Sequence, residues 1–310
     1  MIGRRPKLFY GNPMTIEKVG IIANTAKEGS GGYTVALRKW LRERGLEVYL
    51  EGGIAAEIGL LEPEKSGLWI DADLIVVFGG DGTILRTARL LSERDVPIIG
   101  VNLGVFGYLT EVNLDEMYSA LEEILSGNFQ VERRMMLHAE ILNGDTLLQA
   151  GSVLNDVVIN RGNLSRLVEL ETAVDGNYLT TFKADGLIVA TPTGSTAYSL
   201  AAGGPIVFPE LDSIIINPIC PHTLTNRPVI LPEDVVVEVI LNTREPGATV
   251  TMDGQISFPI TYKDRVLIKR SEQVTKLVSS PHRGYLEILR TKLGWGGSQT
   301  DLSRKETNAI

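Results

Sequence analysis

The sequence predicts an α/β N-terminal domain with a mostly parallel sheet plus a β-rich, sandwich-like C-terminal domain. Up to Ile124, apolar strand-like runs alternate with segments of helical period, as they do in βα units. From Arg134 to Ser279 the helical period nearly vanishes, and short runs rich in Val, Ile and Thr lie between turn pairs such as Asn143-Gly144. The length of 310 residues agrees with two domains of ordinary size.

The elements of the first half follow one another as in an open sheet with helices on both faces. Residues 74–78 are apolar throughout, which is typical of a strand buried on both faces of a parallel sheet. The apolar face of the first helix is predicted to carry Tyr33, Leu37, Trp40 and Leu41. The predicted strands are 19–23, 46–50, 74–78 and 98–101, and the predicted helices are 33–41, 84–91 and 114–124.

These patterns give a division of the chain. We expect an α/β domain over residues 1–132 and an all-β domain over 133–280. The segment 281–296 regains a helical pattern, and we expect it to return to the first domain. Residues 297–310 are polar and aperiodic, which indicates a disordered tail.

The composition excludes several classes of protein. Acidic residues (38) outnumber Lys and Arg (30), whereas a general nucleic-acid binder is usually basic. The one cysteine, Cys220, excludes an intrachain disulfide and a cysteine cluster for metal, and we expect a buried, inert thiol. No stretch reaches the ~18 apolar residues of a membrane helix, and the N-terminus lacks the apolar core of a secretion signal. We therefore expect a cytoplasmic protein with neither a nucleic-acid nor a membrane partner.

The strongest local motif is Gly79-Gly80-Asp81-Gly82-Thr83, between a buried strand and a helix. Open α/β sheets bind ligands at this end of a parallel strand, and a helix N-terminus favours anions. Glycines let backbone N–H groups approach a phosphate closely. Asp81 would repel a phosphate, so it indicates contact with a magnesium ion or a substrate hydroxyl. The alternative is a tight strand–helix turn that Asp81 caps.

Two further segments carry the same kind of residues. The stretch 100–110 follows the next strand and contains Gly100, Gly104 and Gly107, so it should lie beside the first loop; alone it would read as a long turn. The stretch 183–205 joins a strand to a run of small and hydroxyl residues, which can admit a ligand and bind its polar groups. The alternative for the latter is a hairpin rich in Thr and Ser.

Together these segments resemble the NAD kinase family. The resemblance spans about residues 18 to 297 and is carried by 79–83, 102–110, Asn155-Asp156 and 185–205, with similar stretches at 221–228, 253–255 and 289–295. The glycine loop alone also occurs in lipid kinases and phosphofructokinases, but its combination with Thr193-Gly-Ser-Thr-Ala-Tyr-Ser199 is specific. The chain departs from the family at Asp156, where glutamate is common, and at Tyr108, where phenylalanine is common.

The resemblance implies an ATP-dependent enzyme that phosphorylates the adenosine 2′-hydroxyl of NAD to give NADP, with NAD in a cleft between the domains. Asp81 is the implied catalytic residue, which meets that hydroxyl. The implied NAD-binding residues are Asp81, Gly82, Asn155, Asp156, Arg166, Lys183, Asp185, Thr196, Ala197, Tyr198, Ser199, Leu200, Ala201 and Gln255. The implied phosphate loop comprises Gly79, Gly80, Gly82, Thr83 and Arg86, and the implied adenine-side residues are Asn102 and Tyr108.

The implied cofactor is Mg²⁺, with ATP and NAD as substrates, although the residues predict no set of metal ligands. The resemblance also implies a homo-oligomer, a dimer or a tetramer. Two other functions stay open at this point: a lipid kinase of the diacylglycerol-kinase type, and a non-catalytic NAD(P)-binding sensor. The sequence leaves both the donor, ATP or polyphosphate, and the acceptor, NAD or NADH, undecided.

Overall fold

The structure of the chain, a computed structural model, describes residues 15–60, 67–91, 94–104, 107–162, 166–280 and 283–295. Its contacts divide the chain into two units. The α/β unit contains the described residues of 8–84, 96–132 and 277–310, and the β unit contains those of 85–95 and 133–276. The predicted tail, 297–310, lies outside the described residues.

The first half of the chain alternates strands and helices, as the sequence predicts. Its strands are β1 (Lys18–Ala23), β2 (Glu47–Leu50), β3 (Leu74–Gly79), β4 (Pro97–Asn102) and β5 (Val112–Asn113). Its helices are α1 (Ser30–Arg42), α2 (Gly52–Glu57), α3 (Asp81–Leu90) and α4 (Met117–Leu125), and a short 3₁₀ helix covers Leu68–Asp71.

The second half is almost entirely β-structure. Its strands are β6 (Val131–Asn143), β7 (Thr146–Val153), β8 (Asp156–Asn160), β9 (Val168–Val174), β10 (Asn177–Ala184), β11 (Gly186–Ala190), β12 (Ser213–Ile219), β13 (Val229–Pro232), β14 (Val237–Leu241), β15 (Thr249–Met252), β16 (Ile256–Pro259) and β17 (Arg265–Val278). Its helices are a 3₁₀ helix over Thr193–Thr196, α5 (Tyr198–Ala201) and α6 (Tyr285–Leu293).

The sheet of the α/β unit is parallel, in the order β2-β1-β3-β4-β5. Every residue of β3 is buried, which confirms the inference from its unbroken apolar run. In the register of β3 with β4, Gly79 lies opposite Asn102, and the Leu103 N–H donates to the Gly79 carbonyl oxygen at 3.0 Å. The two glycine-containing segments therefore start side by side, as expected from their order along the chain.

The buried face of α1 differs from the prediction. Leu37 and Leu41 are buried as expected, but Thr34 joins them and Tyr33 is 39% exposed. The Thr34 hydroxyl donates to the Ser30 carbonyl oxygen at 2.9 Å, so a polar residue can occupy the buried stripe without an unsatisfied group. The prediction, which used apolar residues alone, therefore placed the buried stripe of α1 about one residue too far round the helix.

The β unit has two antiparallel layers. One sheet has the order β13-β12-β11-β8-β15-β16; in the other, β10-β9-β14-β17 are hydrogen-bonded in turn and β17 also pairs with the β6–β7 hairpin. Residues from both sheets, such as Leu137, Ile159, Leu170 and Val250, form one apolar core. The sandwich-like prediction is therefore confirmed. Among the described residues, no helix is long and apolar enough to span a bilayer.

Cys220 is exposed, so the expectation of a buried thiol was wrong. It stands just after β12 with φ 46°, a left-handed conformation that typically occurs in a turn at the surface. We expect the native protein to react with a disulfide reagent such as DTNB and to release one equivalent of chromophore per chain. Cys220→Ser should release none, and a reaction that needs denaturant would contradict the exposed position.

Candidate active site

The phosphate-loop glycines lie at the carboxyl end of β3. A β-carbon on Gly79 would lie 2.8 Å from Thr83 Cβ, so only glycine lets the first turn of α3 fold back over the strand end. Gly82 is exposed at the start of α3, where helix N–H groups point outward. The residues Gly79, Gly80, Gly82 and Thr83 therefore lie together between β3 and the start of α3, where an anion could bind. Their contact with a phosphate stays a prediction.

Asp81 joins this loop to the second glycine segment. Its Oδ2 accepts the Tyr108 N–H at 2.8 Å, and its Oδ1 accepts the N–H groups of Leu109 at 3.0 Å and Thr110 at 3.3 Å. The Thr110 hydroxyl lies 3.4 Å from the same Oδ1. These donors fix the orientation of the carboxylate. A turn that Asp81 merely caps does not account for them.

The predicted adenine-side residues have other contacts in the structure. Asn102 donates from Nδ2 to the Gly104 carbonyl oxygen at 3.0 Å and accepts the Gly104 N–H at 3.1 Å, so its side chain shapes its own loop. The Tyr108 ring lies 5.7 Å from the ammonium of Lys292 on α6. Burial, and then the charge of Asp81, raise the pKa of the Tyr108 hydroxyl. The adenine contacts of both side chains stay predictions.

In the β unit, Asn155 and Asp156 stand where β7 passes into β8. The carboxylate of Asp253 accepts the N–H groups of Leu154 at 3.0 Å, Asn155 at 2.7 Å and Asp156 at 3.2 Å. Asp253 occupies the β15–β16 turn with φ 50°, followed by Gly254 with φ 65°, the two positive values of a type I′ hairpin. Nothing in the local sequence connects this turn with residues so far back along the chain.

Asn155 and Asp156 also place polar side-chain atoms in the interior. Asp156 is 4% exposed; burial, and then the charge of Asp253, raise its pKa to about 7. The Oδ1 of Asn155 is buried and has no hydrogen-bond partner among the described residues. A buried polar atom without a partner costs free energy, so it indicates a group that a ligand completes.

The segment after β11 packs against Asn155. The Thr191 hydroxyl donates to the Leu154 carbonyl oxygen at 2.6 Å and accepts the Gly194 N–H at 3.0 Å. A β-carbon on Gly194 would overlap the Asn155 backbone, so this contact requires glycine. The small and hydroxyl residues at 191–195 therefore shape the fold here, a role that their composition alone did not distinguish from ligand binding.

The predicted residues on α5 differ in their environments. Ser199 is fully buried, and its hydroxyl lies 3.3 Å from Asn217 Nδ2. Tyr198 and Ala201 are exposed, whereas Thr196, Ala197 and Leu200 are partly buried. The Thr196 hydroxyl donates to the Thr193 carbonyl oxygen at 3.2 Å.

Several other predicted residues lie in polar pairs. The Arg166 side chain is 83% exposed and 3.5 Å from Glu245, and Lys183 lies 2.9 Å from Glu169. Asp185 pairs with Arg161 at 3.1 Å, and Gln255 accepts from Arg89 at 2.8 Å. Arg86 is partly buried on α3. In the described part of the chain, no cluster of three His, Cys, Asp or Glu residues could hold a metal ion.

Comparison with known proteins decides the family. The family model for the ATP-NAD kinase N-terminal domain matches residues 19–129, and that for the C-terminal domain matches residues 154–280. The NAD kinase of Geotalea daltonii is 48% identical over 282 residues, which cover 91% of this chain and 99% of that protein. The chain belongs to the NAD kinase family. The NAD kinase of Geobacter metallireducens is 46% identical over 281 residues, with the same coverage of 91% and 99%.

Solved NAD kinase structures share the fold. Yeast NADH kinase, complexed with NADH, matches with a TM-score of 0.84 and 26% identity over 96% of this chain and 94% of that chain. An NAD kinase from Archaeoglobus fulgidus in complex with ATP matches with a TM-score of 0.70 and 27% identity over 89% and 97%. Membership of the NAD kinase family favours the nucleotide substrate over the lipid-kinase alternative.

Proposed function

We propose that Asp81 serves the reaction of this NAD kinase, the transfer of the γ-phosphate of ATP to the 2′-hydroxyl of the adenosine ribose of NAD. The observation that carries the proposal is the set of N–H donors from residues 108–110 that orient its carboxylate. An oriented carboxylate beside a phosphate-binding loop suits an acceptor hydroxyl, which it can align by accepting its hydrogen bond.

The reaction requires correct positioning of the acceptor hydroxyl more than it requires a strong base. Phosphoryl transfer passes through a loose transition state, so little proton removal is needed early. The bond from O2′ to the γ-phosphorus forms while the bond to the β–γ bridging oxygen breaks, and ADP leaves with that electron pair. The hydroxyl proton passes to Asp81. The N–H groups at the start of α3, with Gly80 and Gly82, hold the phosphate oxygens.

The NAD-binding residues of the β unit follow the resemblance. Asn155 and Asp156 hold the adenosine portion. This is supported by the burial of Asp156 and by Asn155 Oδ1, which is buried and has no hydrogen-bond partner among the described residues. Residues Asp185 and 196–201 line the nicotinamide-ribose side. Lys183, Arg166 and Gln255 contribute further contacts to the dinucleotide once their present ion pairs and hydrogen bonds rearrange.

Magnesium enters as the substrate complex Mg–ATP. Mg²⁺ commonly takes one or two carboxylates together with substrate phosphates, so it needs no cage of protein ligands. A homo-oligomer, dimer or tetramer, and a cytoplasmic location belong to the same proposal. Both rest on the family resemblance, and the single cysteine supports the location.

A donor-by-acceptor assay tests the function. Purified protein is incubated with ATP or polyphosphate, each with NAD or NADH and Mg²⁺, and the product is quantified with an NADP-specific dehydrogenase. We expect NADP from ATP and NAD, and loss of the activity when EDTA removes the metal. Dinucleotide binding without product would favour the sensor, and phosphorylation of diacylglycerol in a parallel arm would favour the lipid kinase.

A further inference from the structure

The Asp253 carboxylate is buried, yet the proposed reaction gives it no substrate to contact. It is 7% exposed, and both oxygens accept backbone N–H groups from the successive residues 154–156. The bonding is reciprocal, because the Asp253 N–H donates to the Asp156 carbonyl oxygen at 3.0 Å. The hairpin turn thus ties together two segments about 100 residues apart in sequence.

The hydrogen bonds between the Asp253 carboxylate and the N–H groups of residues 154–156 leave the neighbouring side chains available to bind a ligand. With the backbone donors of residues 154–156 occupied by Asp253, the Asn155 and Asp156 side chains are not needed to satisfy them. Among the described residues, none donates a hydrogen bond to the Asp156 carboxyl group or to Asn155 Oδ1. Two adjacent polar groups on a fixed backbone form a preorganised binding element.

We propose that Asp253 is a positioning residue of the NAD site, which holds the Leu154–Asp156 backbone so that Asn155 and Asp156 meet the adenosine half of NAD. The inference rests on the proposed function, because it takes the adenosine contacts of these two residues from it. It adds a residue that touches no substrate and acts through its neighbours.

The charges of Asp156 and Asp253 predict a specific pH dependence of KM for NAD. Burial, and then the charge of Asp253, raise the pKa of Asp156 to about 7, so Asp156 is protonated at lower pH. A carboxylate accepts hydrogen bonds from adenosine better than the neutral acid does, so KM for NAD should rise as the pH falls through about 7. Removing the Asp253 charge should lower the pKa of Asp156 and move this rise to lower pH.

The surroundings of Asp156 offer few other charges. The strands next to β8 are β11 and β15, whose residues Gly186–Ala190 and Thr249–Met252 are all uncharged. Arg89 on α3 acts on Asp253: it donates to Gln255 at 2.8 Å and lowers the pKa of Asp253. Burial raises the pKa of Asp253, and the three N–H donors, like Arg89, oppose that rise.

The test is Asp253→Asn in the full-length enzyme, with KM for NAD, KM for ATP and kcat measured from about pH 5 to 9. We expect KM for NAD to rise about tenfold near neutral pH, KM for ATP to stay unchanged, and the acid rise in KM for NAD to move to lower pH. An unmoved acid rise, or equal increases in both KM values, overturns the inference.

Asp264→Asn is the matched control. Asp264 is also a buried turn aspartate of the β unit; it accepts from Thr261 N–H at 2.6 Å and from Asn143 Nδ2 at 2.6 Å. We expect it to lower the melting temperature without changing KM for NAD or its pH profile. Equal effects of the two variants would show a general loss of stability and overturn the inference.

A second variant covers the case in which Asp253→Asn does not fold. Asp156→Asn removes the titrating group, so the acid rise in KM for NAD should disappear while KM for ATP stays the same. Persistence of the rise overturns the electrostatic coupling. If the wild-type chain forms no NADP, the proposed function itself fails, which is distinct from an active enzyme whose Asp253→Asn variant behaves like Asp264→Asn.

Discussion

The Asp81→Asn variant should lose about 10²- to 10⁴-fold in kcat for NADP formation, the usual contribution of a positioned proton acceptor. Asparagine keeps the size of the side chain but offers one acceptor oxygen, whereas Asp81 accepts N–H groups on both. Its amide NH₂ would face a backbone N–H, so the side chain turns away from its present position. The variant therefore loses both the charge and the orientation that the hydroxyl requires.

The measurement is steady-state NADP formation with saturating Mg–ATP and NAD, alongside thermal unfolding of each protein. Asp73→Asn is the control in the same unit, because Asp73 Oδ2 also accepts two backbone N–H groups, from Glu17 at 2.9 Å and Lys18 at 2.8 Å. It should lose some stability and keep its kcat. A wild-type rate in Asp81→Asn would remove Asp81 from the reaction.

The fold could be predicted from sequence where burial follows a simple period. The run 74–78 is apolar on both faces and forms β3 with every residue buried. The loss of helical period after Arg134 likewise predicted the β-rich second half. The predicted buried face of α1 was wrong at Thr34. Its hydroxyl makes a hydrogen bond within the same helix, so this polar residue can be buried although no apolar side chain marks the position.

The candidate site was predictable as separate segments but not as an assembled arrangement. Gly79 and Asn102 are the last residues of neighbouring strands, so their proximity results from chain order and parallel pairing. The bonds from Asp253 to Leu154 and Asn155 join segments with no shared local pattern, and only the folded β unit brings them together. An Asp-Gly pair in an all-β region predicts a turn, but not what its carboxylate binds.

Gly107→Ala should reduce kcat about 100-fold, because the Asp81 carboxylate occupies the space that a side chain at position 107 would fill. A β-carbon on Gly107 would overlap Asp81 Oδ1 and lie 2.5 Å from Thr110 Oγ1. A flexible side chain could normally swing away, but this one accepts N–H groups from the next three residues of the loop. In the variant, either the Asp81 side chain loses its hydrogen bonds to the N–H groups of residues 108–110, or the loop that contains these donors moves.

Gly104→Ala is the matched control, because among the described residues its added β-carbon would come near the Lys27 ammonium alone, at 3.5 Å. That is an ordinary contact with the end of a flexible side chain, and neither glycine has a left-handed backbone. We expect Gly104→Ala to keep its kcat and stability, and Gly107→Ala to lose about 1–3 kcal/mol of stability as well as activity. Full activity in Gly107→Ala would mean that the donors at 108–110 do not set the position of Asp81 during turnover. The catalytic proposal would then rest on the charge of Asp81 alone.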